Sequence, residues 1–317
     1  MKRVLALLAG AAALLGIAVG AGAPPAAAAD RTVRIGYQKY GTLVILKEKG
    51  LLEEKLKPLG FRVTWTEFPG GPQLLEALNV GALDFGTTGE APPIFAQAAG
   101  APLLYVGYEP PSPTSEAILV PKDSPIKNVA ELKGKRVALN KGSNVHYLLV
   151  KALEEAKLSV ADIEPVYLPP ADARAAFERG AVDAWVIWDP FLAAASAATG
   201  ARTLRDGTGL VSNHQFFLAA KPFAEANRDA LAAVIAGLRD IDAWARDNVR
   251  EVAAQLSPKV GIPLPVLEVA AGRMSYGVRP IDEAVIAEQQ RIADTFHKLK
   301  LIPKPISIAD AVARAKS

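Results

Sequence analysis

A cluster of hydroxyl, glycine and acidic residues occupies segment 86–93 (GTTGEAPP), where an apolar stretch gives way to the start of a helix. The first backbone N–H groups of a helix have no partners within it and attract anions. The hydroxyls of Thr87 and Thr88 add donors, so the segment predicts a small-anion site. Thr88 or Glu90 could instead cap the helix. Because a carboxylate repels an anion, Glu90 would orient amides, pair with a base, or meet a cationic or hydroxyl part of a ligand.

A second polar cluster lies in segment 140–146 (NKGSNVH), again between a short apolar strand and a helix. Ser143 and Asn144 are its best donors, while Lys141 could supply charge or lie in solvent. His146 falls in the first helical turn, where a ligand contact and a structural role are both open. The segment predicts a second group of anion-binding donors.

Two tryptophans and an acid mark a third segment, 185–190 (WVIWDP). Side chains alternate along a strand, so Trp185 and Trp188 are expected on opposite faces. We expect one indole in the core, and Trp188, nearest the strand's end, as a wall of a cleft. Asp189 stands before a proline as Glu90 stands before Ala-Pro-Pro, and it has the same alternative role as a helix cap.

The sequence lacks the patterns of common catalytic and metal centres. It has no G-x-S-x-G elbow, no H-E-x-x-H run and no Walker loop. Its three histidines, His146, His214 and His297, are not at metal-ligand spacing. The chain has no cysteine, and therefore no thiolate nucleophile and no disulfide. These observations favour binding over catalysis, without metal or cofactor, although missing motifs alone do not exclude an enzyme.

Two weak internal repeats place the polar segments at matching points of two similar halves. Residues 34–39 (RIGYQK) resemble 136–141 (RVALNK), and residues 81–84 (GALD) resemble 180–183 (GAVD). Each half is predicted to contain strand, helix and strand, the β-α-β unit of a parallel sheet. The glycine that opens each of the last two runs suits the left-handed end of a helix. We therefore expect an α/β fold with two lobes and a cleft lined by helix starts.

The lobe limits follow from two extended connectors, at 117–122 (AILVPK) and 217–222 (FLAAKP). We interpret them as crossovers that form a two-strand hinge. The predicted division is lobe I from 30–120 and 216–317, and lobe II from 121–215. The last hundred residues are expected to be mainly helical, from their periodic apolar pattern.

The first 29 residues have the pattern of an export signal. Lys2 and Arg3 form a charged start, residues 4–19 are mainly apolar, and the small residues 27–29 precede Asp30. Cleavage near Ala29–Asp30 would leave a nearly neutral chain. No basic run is interleaved with aromatics, so we expect no nucleic-acid partner. The pattern predicts a free, soluble protein of the periplasm.

Four longer runs resemble the aliphatic sulfonate-binding proteins of ABC importers. They are FPGGPQLLEALNVG (68–81), TGEAPPIFAQAA (88–99), YVGYEPP (105–111) and ADARAAFERGAVDAWVIWDP (171–190). The resemblance spans almost the whole chain after the signal segment. It implies a type II periplasmic binding fold that captures an alkanesulfonate between its lobes and delivers it, as a monomer, to a membrane permease and ATPase.

The resemblance also implies a set of binding residues by motif position. A sulfonate stays anionic near neutral pH, so it needs fixed donors instead of a general acid, and an apolar wall would suit its tail. The implied ligand-binding residues are Gln38, Thr87, Thr88, Glu90, Ser143, Asn144, His146, Trp188 and Asp189.

Two residues of this chain depart from the family pattern. Family members commonly have Asp where this chain has Glu90, and Ser where it has Thr87, which implies a pocket shaped for a different tail.

A receptor for taurine, nitrate or another small oxyanion is the first alternative to an alkanesulfonate receptor. An enzyme on the same scaffold is the second, but the related aromatic sulfinate desulfinases use a nucleophilic cysteine, which this chain lacks.

Overall fold

The structure, a computed structural model, describes residues 31–313, so the predicted signal segment lies outside the described residues. Within this range the chain alternates strands and helices. The strands are β1 (Arg31–Tyr37), β2 (Phe61–Glu67), β3 (Phe85–Gly89), β4 (Leu103–Tyr108), β5 (Glu116–Val120), β6 (Arg136–Leu139), β7 (Glu164–Tyr167), β8 (Ala184–Trp188), β9 (Arg202–Asp206) and β10 (Gln215–Ala220). The helices are α1 (Thr42–Lys49), α2 (Leu51–Leu56), α3 (Gly71–Asn79), α4 (Ala91–Ala98), α5 (Asn144–Glu155), α6 (Pro170–Glu178), α7 (Phe191–Thr199), α8 (Lys221–Ala226), α9 (Arg228–Asp247), α10 (Val249–Val260), α11 (Leu264–Arg273) and α12 (Glu283–Lys298).

The strands form two five-stranded sheets of matching topology, with the orders β2-β1-β3-β10-β4 and β7-β6-β8-β5-β9. In the first sheet β1 runs parallel to β2 and β3, and β10 is antiparallel to β3 and β4. The second sheet repeats this plan, with β6 parallel to β7 and β8, and β5 antiparallel to β8 and β9. The predicted α/β fold with two lobes is confirmed.

The internal repeat of the sequence corresponds to one contact made in each sheet. The backbone N–H of Arg34 donates to Asp84 Oδ2 over 2.9 Å, and that of Arg136 donates to Asp183 Oδ2 over 2.8 Å. Both turns begin at a glycine in the left-handed region, which a side chain would disfavour, with φ of 73° at Gly81 and 70° at Gly180. The repeat therefore encodes the turn that brings a second parallel strand beside β1 or β6.

The two connectors between the sheets lie a few residues earlier than the sequence suggested. Segments 117–122 and 217–222 are not crossovers, because β5 and β10 each lie between two strands of one sheet. The chain passes between the sheets at 109–115 and 207–214. These connectors run side by side: the N–H of Ser112 donates to Ser212 O over 3.0 Å, and that of Gly207 donates to Pro113 O over 3.0 Å. The lobe limits themselves stay a prediction.

The chain after β10 is mainly helical, as the periodic apolar pattern predicted. The long helix α9 buries Val234, Leu238, Ile241 and Ala245 on one face and packs against α1 and α2. Helix α12 begins after Asp282, whose Oδ1 accepts a hydrogen bond from Val285 N over 2.9 Å. None of the helices within residues 31–313 is long and apolar enough to cross a membrane.

Candidate functional site

A small cavity of about 30 Å³ lies between the two sheets, where strand ends lead into α3, α4 and α5. In parallel sheets this edge collects the loops that bind ligands. None of the residues lining the cavity carries a formal charge, so a bound anion would be held by dipoles and neutral donors. These residues are Gln38, Tyr40, Gly71, Gly89, Pro92, Ser143, Asn144, Trp188, Asn213 and Gln215.

A larger cavity of about 230 Å³ adjoins the first and shares Gln38, Tyr40 and Trp188 with it. Most of its other lining residues are apolar, with one lysine and one glutamate among them. They are Lys39, Glu67, Phe68, Pro69, Pro170, Ala171, Pro190 and Phe191. The site therefore combines a small polar chamber with a larger, mostly apolar one.

Asn144 connects the two halves of the site. Its side-chain Oδ1 accepts a hydrogen bond from the backbone N–H of Ala91, the first residue of α4, over 3.2 Å. Its Nδ2 donates to Asn213 Oδ1 in the second connector. The carboxamide lies so close to Gly89 that a Cβ there would stand 2.0 Å from Asn144 Nδ2, so only glycine fits. The N–H that opens α4 thus donates to a residue of the other sheet, and Pro92 and Pro93, which follow it, have no N–H.

Ser143 and Gln38 also border the polar chamber, and their contact with ligand stays a prediction. Ser143 precedes α5 in an extended conformation, and its Oγ donates to Asn140 O over 2.6 Å. Gln38 follows β1, and its Nε2 donates to Thr87 O over 3.2 Å. Both side chains are oriented by the backbone and stay next to the cavity.

Thr87 and Thr88 are buried in the first sheet, and neither lines the cavity. The hydroxyl of Thr87 donates to Phe216 O over 3.1 Å, and that of Thr88 donates to Gly89 O over 3.0 Å. Strand β3 thus contributes to the chamber at Gly89, not through these hydroxyls.

Glu90 is fully buried and does not line the cavity. Its Oε2 accepts a hydrogen bond from the backbone N–H of His214 over 3.0 Å, in the second connector. Its side chain does not cap α4. Burial raises the pKa of Glu90 to about 7, in spite of the hydrogen bond from His214.

His146 lies behind the chamber among aromatic rings. Its ring centre is 6.4 Å from that of Phe95 and 6.0 Å from that of Phe296. Its Nδ1 accepts a hydrogen bond from the N–H of Gly142 over 3.3 Å, so the neutral ring carries its proton on Nε2. Burial, with a smaller contribution from the charge of Lys141, lowers the pKa of His146 to about 4. Of the two roles that the sequence left open, this geometry corresponds to the structural one.

The two tryptophans of β8 have the different environments that strand alternation predicts. Trp185 is fully buried beside Phe177, and Trp188 lines both cavities. Asp189 does not line either cavity. Its carboxylate accepts from the N–H of Ala193 in α7 over 3.0 Å and from Nη1 of Arg273 over 3.1 Å, so it stabilises the start of α7.

Three lining residues with polar side chains were missed from the sequence: Tyr40, Asn213 and Gln215. Tyr40 shares the loop after β1 with Gln38, and that position was its only signal. Asn213 and Gln215 belong to the second connector and the start of β10, outside the repeat. Nothing in their local pattern distinguished them from an ordinary polar loop. Within residues 31–313 no three His, Cys, Asp or Glu side chains are grouped to hold a metal ion.

Comparison with known proteins gives consistent matches over most of the chain. The family model described as "NMT1/THI5 like" matches residues 45–245. A "putative aliphatic sulfonates-binding protein" of Escherichia coli K12 is 46% identical over 314 residues, 98% of this chain and 97% of that protein. A protein of the same name from Bacillus subtilis 168 is 33% identical over 89% of this chain and 86% of its own length.

A solved structure matches the fold closely. The alkanesulfonate-binding protein of Xanthomonas axonopodis pv. citri, bound to MOPS, superposes with a TM-score of 0.86 at 45% sequence identity. The match covers 90% of this chain and 98% of that one.

Proposed function

Because the chain belongs to the NMT1/THI5-like family and, within it, to the aliphatic sulfonate-binding proteins, we propose that it captures an alkanesulfonate and delivers it to an ABC importer. It is a receptor and not an enzyme. The observation that carries this proposal is the uncharged polar chamber, which receives donors from both sheets and shares three lining residues with a mostly apolar second cavity.

The polar chamber suits the sulfonate group. A sulfonate is a monovalent anion with three acceptor oxygens, and it needs donors instead of a proton acceptor. The Ala91 N–H, the hydroxyl of Ser143 and the Nδ2 group of Asn144 are such donors, and a ligand would replace the protein acceptors to which they donate without it. Pro92 and Pro93, which follow Ala91, have no N–H and add no donor. A sulfonate oxygen would replace Asn144 Oδ1 as the acceptor of the Ala91 N–H. Ligand binding would then depend on both sheets at once, which favours the closed cleft.

The larger cavity suits the tail. Trp188 borders both cavities, so a tail would leave the polar chamber along the indole. Phe68, Pro170 and Phe191 would then remove apolar carbon atoms from water, at about 0.8 kcal/mol per CH₂ group. Taurine would place an ammonium group in these surroundings, where the one carboxylate of the lining, that of Glu67, already lies 3.8 Å from Lys39 Nζ.

The proposal includes export of the protein and its partners in the importer. The charged start, apolar run and small residues before Asp30 support cleavage near Ala29–Asp30 and a location in the periplasm. There the loaded receptor would meet the permease and ATPase subunits of its importer as a monomer. Mass spectrometry of the protein purified from the periplasmic fraction tests the cleavage, because a chain that retains residues 1–29 would contradict it.

Calorimetric titration of ligand-stripped protein tests the function. The ligands are methane-, butane- and octanesulfonate, taurine, sulfate and nitrate, in a buffer without a sulfonate group. We expect one-to-one binding of alkanesulfonates that are recovered unchanged. Binding of taurine or an inorganic anion alone would assign the protein to the alternative receptors, and a chemically altered ligand would indicate an enzyme.

A further inference from the structure

Two buried carboxyl groups lie behind the polar chamber and lack the partners that burial normally requires. Glu90 precedes α4, and Glu116 is the first residue of β5. Both side chains are fully buried. Neither oxygen of Glu116 has a hydrogen-bond partner, and Oε1 of Glu90 has none either. Buried ionised carboxylates without partners are strongly disfavoured, so these groups need a physical explanation.

The two carboxyl groups are placed by residues that line the chamber. Glu90 follows Gly89 directly. Glu116 stands opposite Trp188 in the antiparallel pair of β5 and β8, so the two side chains lie on the same face of the sheet. Asn213 also lines the chamber, and its Nδ2 donates to the Oγ of Ser115, the residue before Glu116, over 3.0 Å. The carboxyl groups therefore form the layer behind the anion-binding residues.

The charged groups around this pair do not neutralise it. Glu90 faces His214 and Glu288, and His214 Nε2 lies 3.4 Å from Glu288 Oε2. Glu288 in turn is near Arg291, and Tyr147 lies near Glu90. Among residues 31–313, Glu90 is the charged group that acts on Glu116, and it is a like charge. Among the described residues, neither carboxyl forms an ion pair with a lysine or arginine.

We infer that Glu116 stays protonated and that Glu90 takes up a proton when an anion binds, and that these two buried carboxyls make the chamber select monovalent anions, so that a sulfonate binds together with a proton and a divalent oxyanion is rejected. The inference rests on the proposed function and adds its charge selectivity. A monovalent anion beside a half-ionised pair favours protonation of the remaining carboxylate, which leaves one buried negative charge. Sulfate would leave two, held by the same neutral donors.

The direction of both pKa shifts agrees with this arrangement. Burial raises the pKa of Glu90 to about 7. Burial, and then the charge of Glu90, raise the pKa of Glu116 well above its ordinary value. Glu116 is fully buried with neither oxygen partnered, which disfavours its ionised form, so Glu90 is the group that takes up the proton when an anion binds.

The test is the pH dependence of butanesulfonate binding, measured by calorimetry in sulfonate-free buffers of different ionisation enthalpy. For the wild type we expect proton uptake, and an affinity that falls about tenfold per pH unit above about pH 7. Glu90→Gln keeps the shape and the acceptor for the His214 N–H. We expect it to bind as the wild type does at about pH 5 and to lose the pH dependence. We also expect it to gain measurable sulfate binding.

Matched variants and a ligand-free measurement separate the possible outcomes. His214→Gln and the exposed Glu178→Gln should keep the pH dependence, whereas Glu116→Gln should remove from the infrared spectrum the C=O band of a buried protonated carboxyl. A pH-independent wild type, an unchanged slope in Glu90→Gln, or an absent band would each overturn the inference. The band without binding of any sulfonate would refute the proposed function and leave the protonated state of Glu116 standing.

Discussion

The side chain of Asn144, at the start of α5, accepts the backbone N–H of Ala91, at the start of α4, over 3.2 Å. The two helices belong to different sheets, and each begins where its sheet would offer donors to an anion. The contact joins the two donor groups through one uncharged side chain. The site therefore depends on the carboxamide chemistry of Asn144 as well as on its shape.

Asn144→Asp replaces the Nδ2 donor by a second acceptor and adds a negative charge beside the bound anion. We expect alkanesulfonate affinity to fall by at least about tenfold, because like charges in a partly desolvated site repel by more than 1 kcal/mol. Calorimetric titration measures the change, and Asn79→Asp on the exposed end of α3 is the matched control. Equal affinities for Asn144→Asp and the wild type would contradict the role assigned to the carboxamide.

Ser143→Ala removes a hydroxyl from the wall of the chamber without changing the backbone. We expect binding to weaken by about 1.5–3 kcal/mol, which is tenfold or more, as for one lost hydrogen bond to a charged group. Ser159→Ala alters an exposed turn after α5 that lines neither cavity, and it serves as the control. The same titration applies, and binding as strong as in the wild type would place the hydroxyl outside the set of ligand donors.

The sequence predicted the strand and helix ends at this site better than it predicted the lining residues of the second connector. The two repeats located equivalent turns at Gly81 and Gly180, because a helix that ends before a parallel strand requires the same local chemistry in each sheet. Ser143 and Asn144 were predicted from their place after β6, and Trp188 from its place at the end of β8. Asn213 was missed because it lies in a connector, where position depends on how the two sheets meet. No local period or cap encodes that arrangement.

Buried hydroxyls and acids were the other source of error, since donor chemistry alone does not show which way a side chain points. Thr87 and Thr88 have suitable hydroxyls, but their donors are used by carbonyl groups within the protein. Glu90 and Asp189 occupy equivalent places before helices, yet one accepts from a connector and the other from α7 and Arg273. The role of each side chain therefore depends on contacts with residues that are distant in the sequence.

Trp185 and Trp188 provide a direct comparison of core and site within one strand. Trp185→Ala should lower the free energy of unfolding by about 3–5 kcal/mol, since the indole is fully buried. Trp188→Ala should weaken butane- and octanesulfonate more than methanesulfonate, because it removes the wall shared by the two cavities. Chemical denaturation and titration measure the two effects. An equal loss for all three sulfonates would refute the tail path along Trp188.

Arg273→Gln should destabilise the protein, because Asp189 is fully buried and would lose its charged partner. We expect a loss of roughly 1–3 kcal/mol, limited by the exposure of the guanidinium to water. Adding Asp189→Asn should recover part of that loss, because no unpaired charge then remains. Sulfonate affinity in the double variant tests whether Asp189 contacts ligand: a large decrease in a stable protein would show that it does.

His146 should make the folded protein less stable as the pH falls. Its pKa is lowered to about 4 by burial, below the ordinary value of 6.5, so the unfolded chain binds more protons between these values. The contribution of the neutral ring is therefore fully present above about pH 6.5, and about 3 kcal/mol is lost as the pH falls to about 4. His146→Phe keeps the ring contacts with Phe95 and Phe296 and cannot be protonated. Denaturation at several pH values should show this variant gaining on the wild type toward acid pH, whereas His297→Phe, at an exposed position, should follow the wild type. If the stability difference between His146→Phe and the wild type were the same at every pH, the ring would not be the group that titrates.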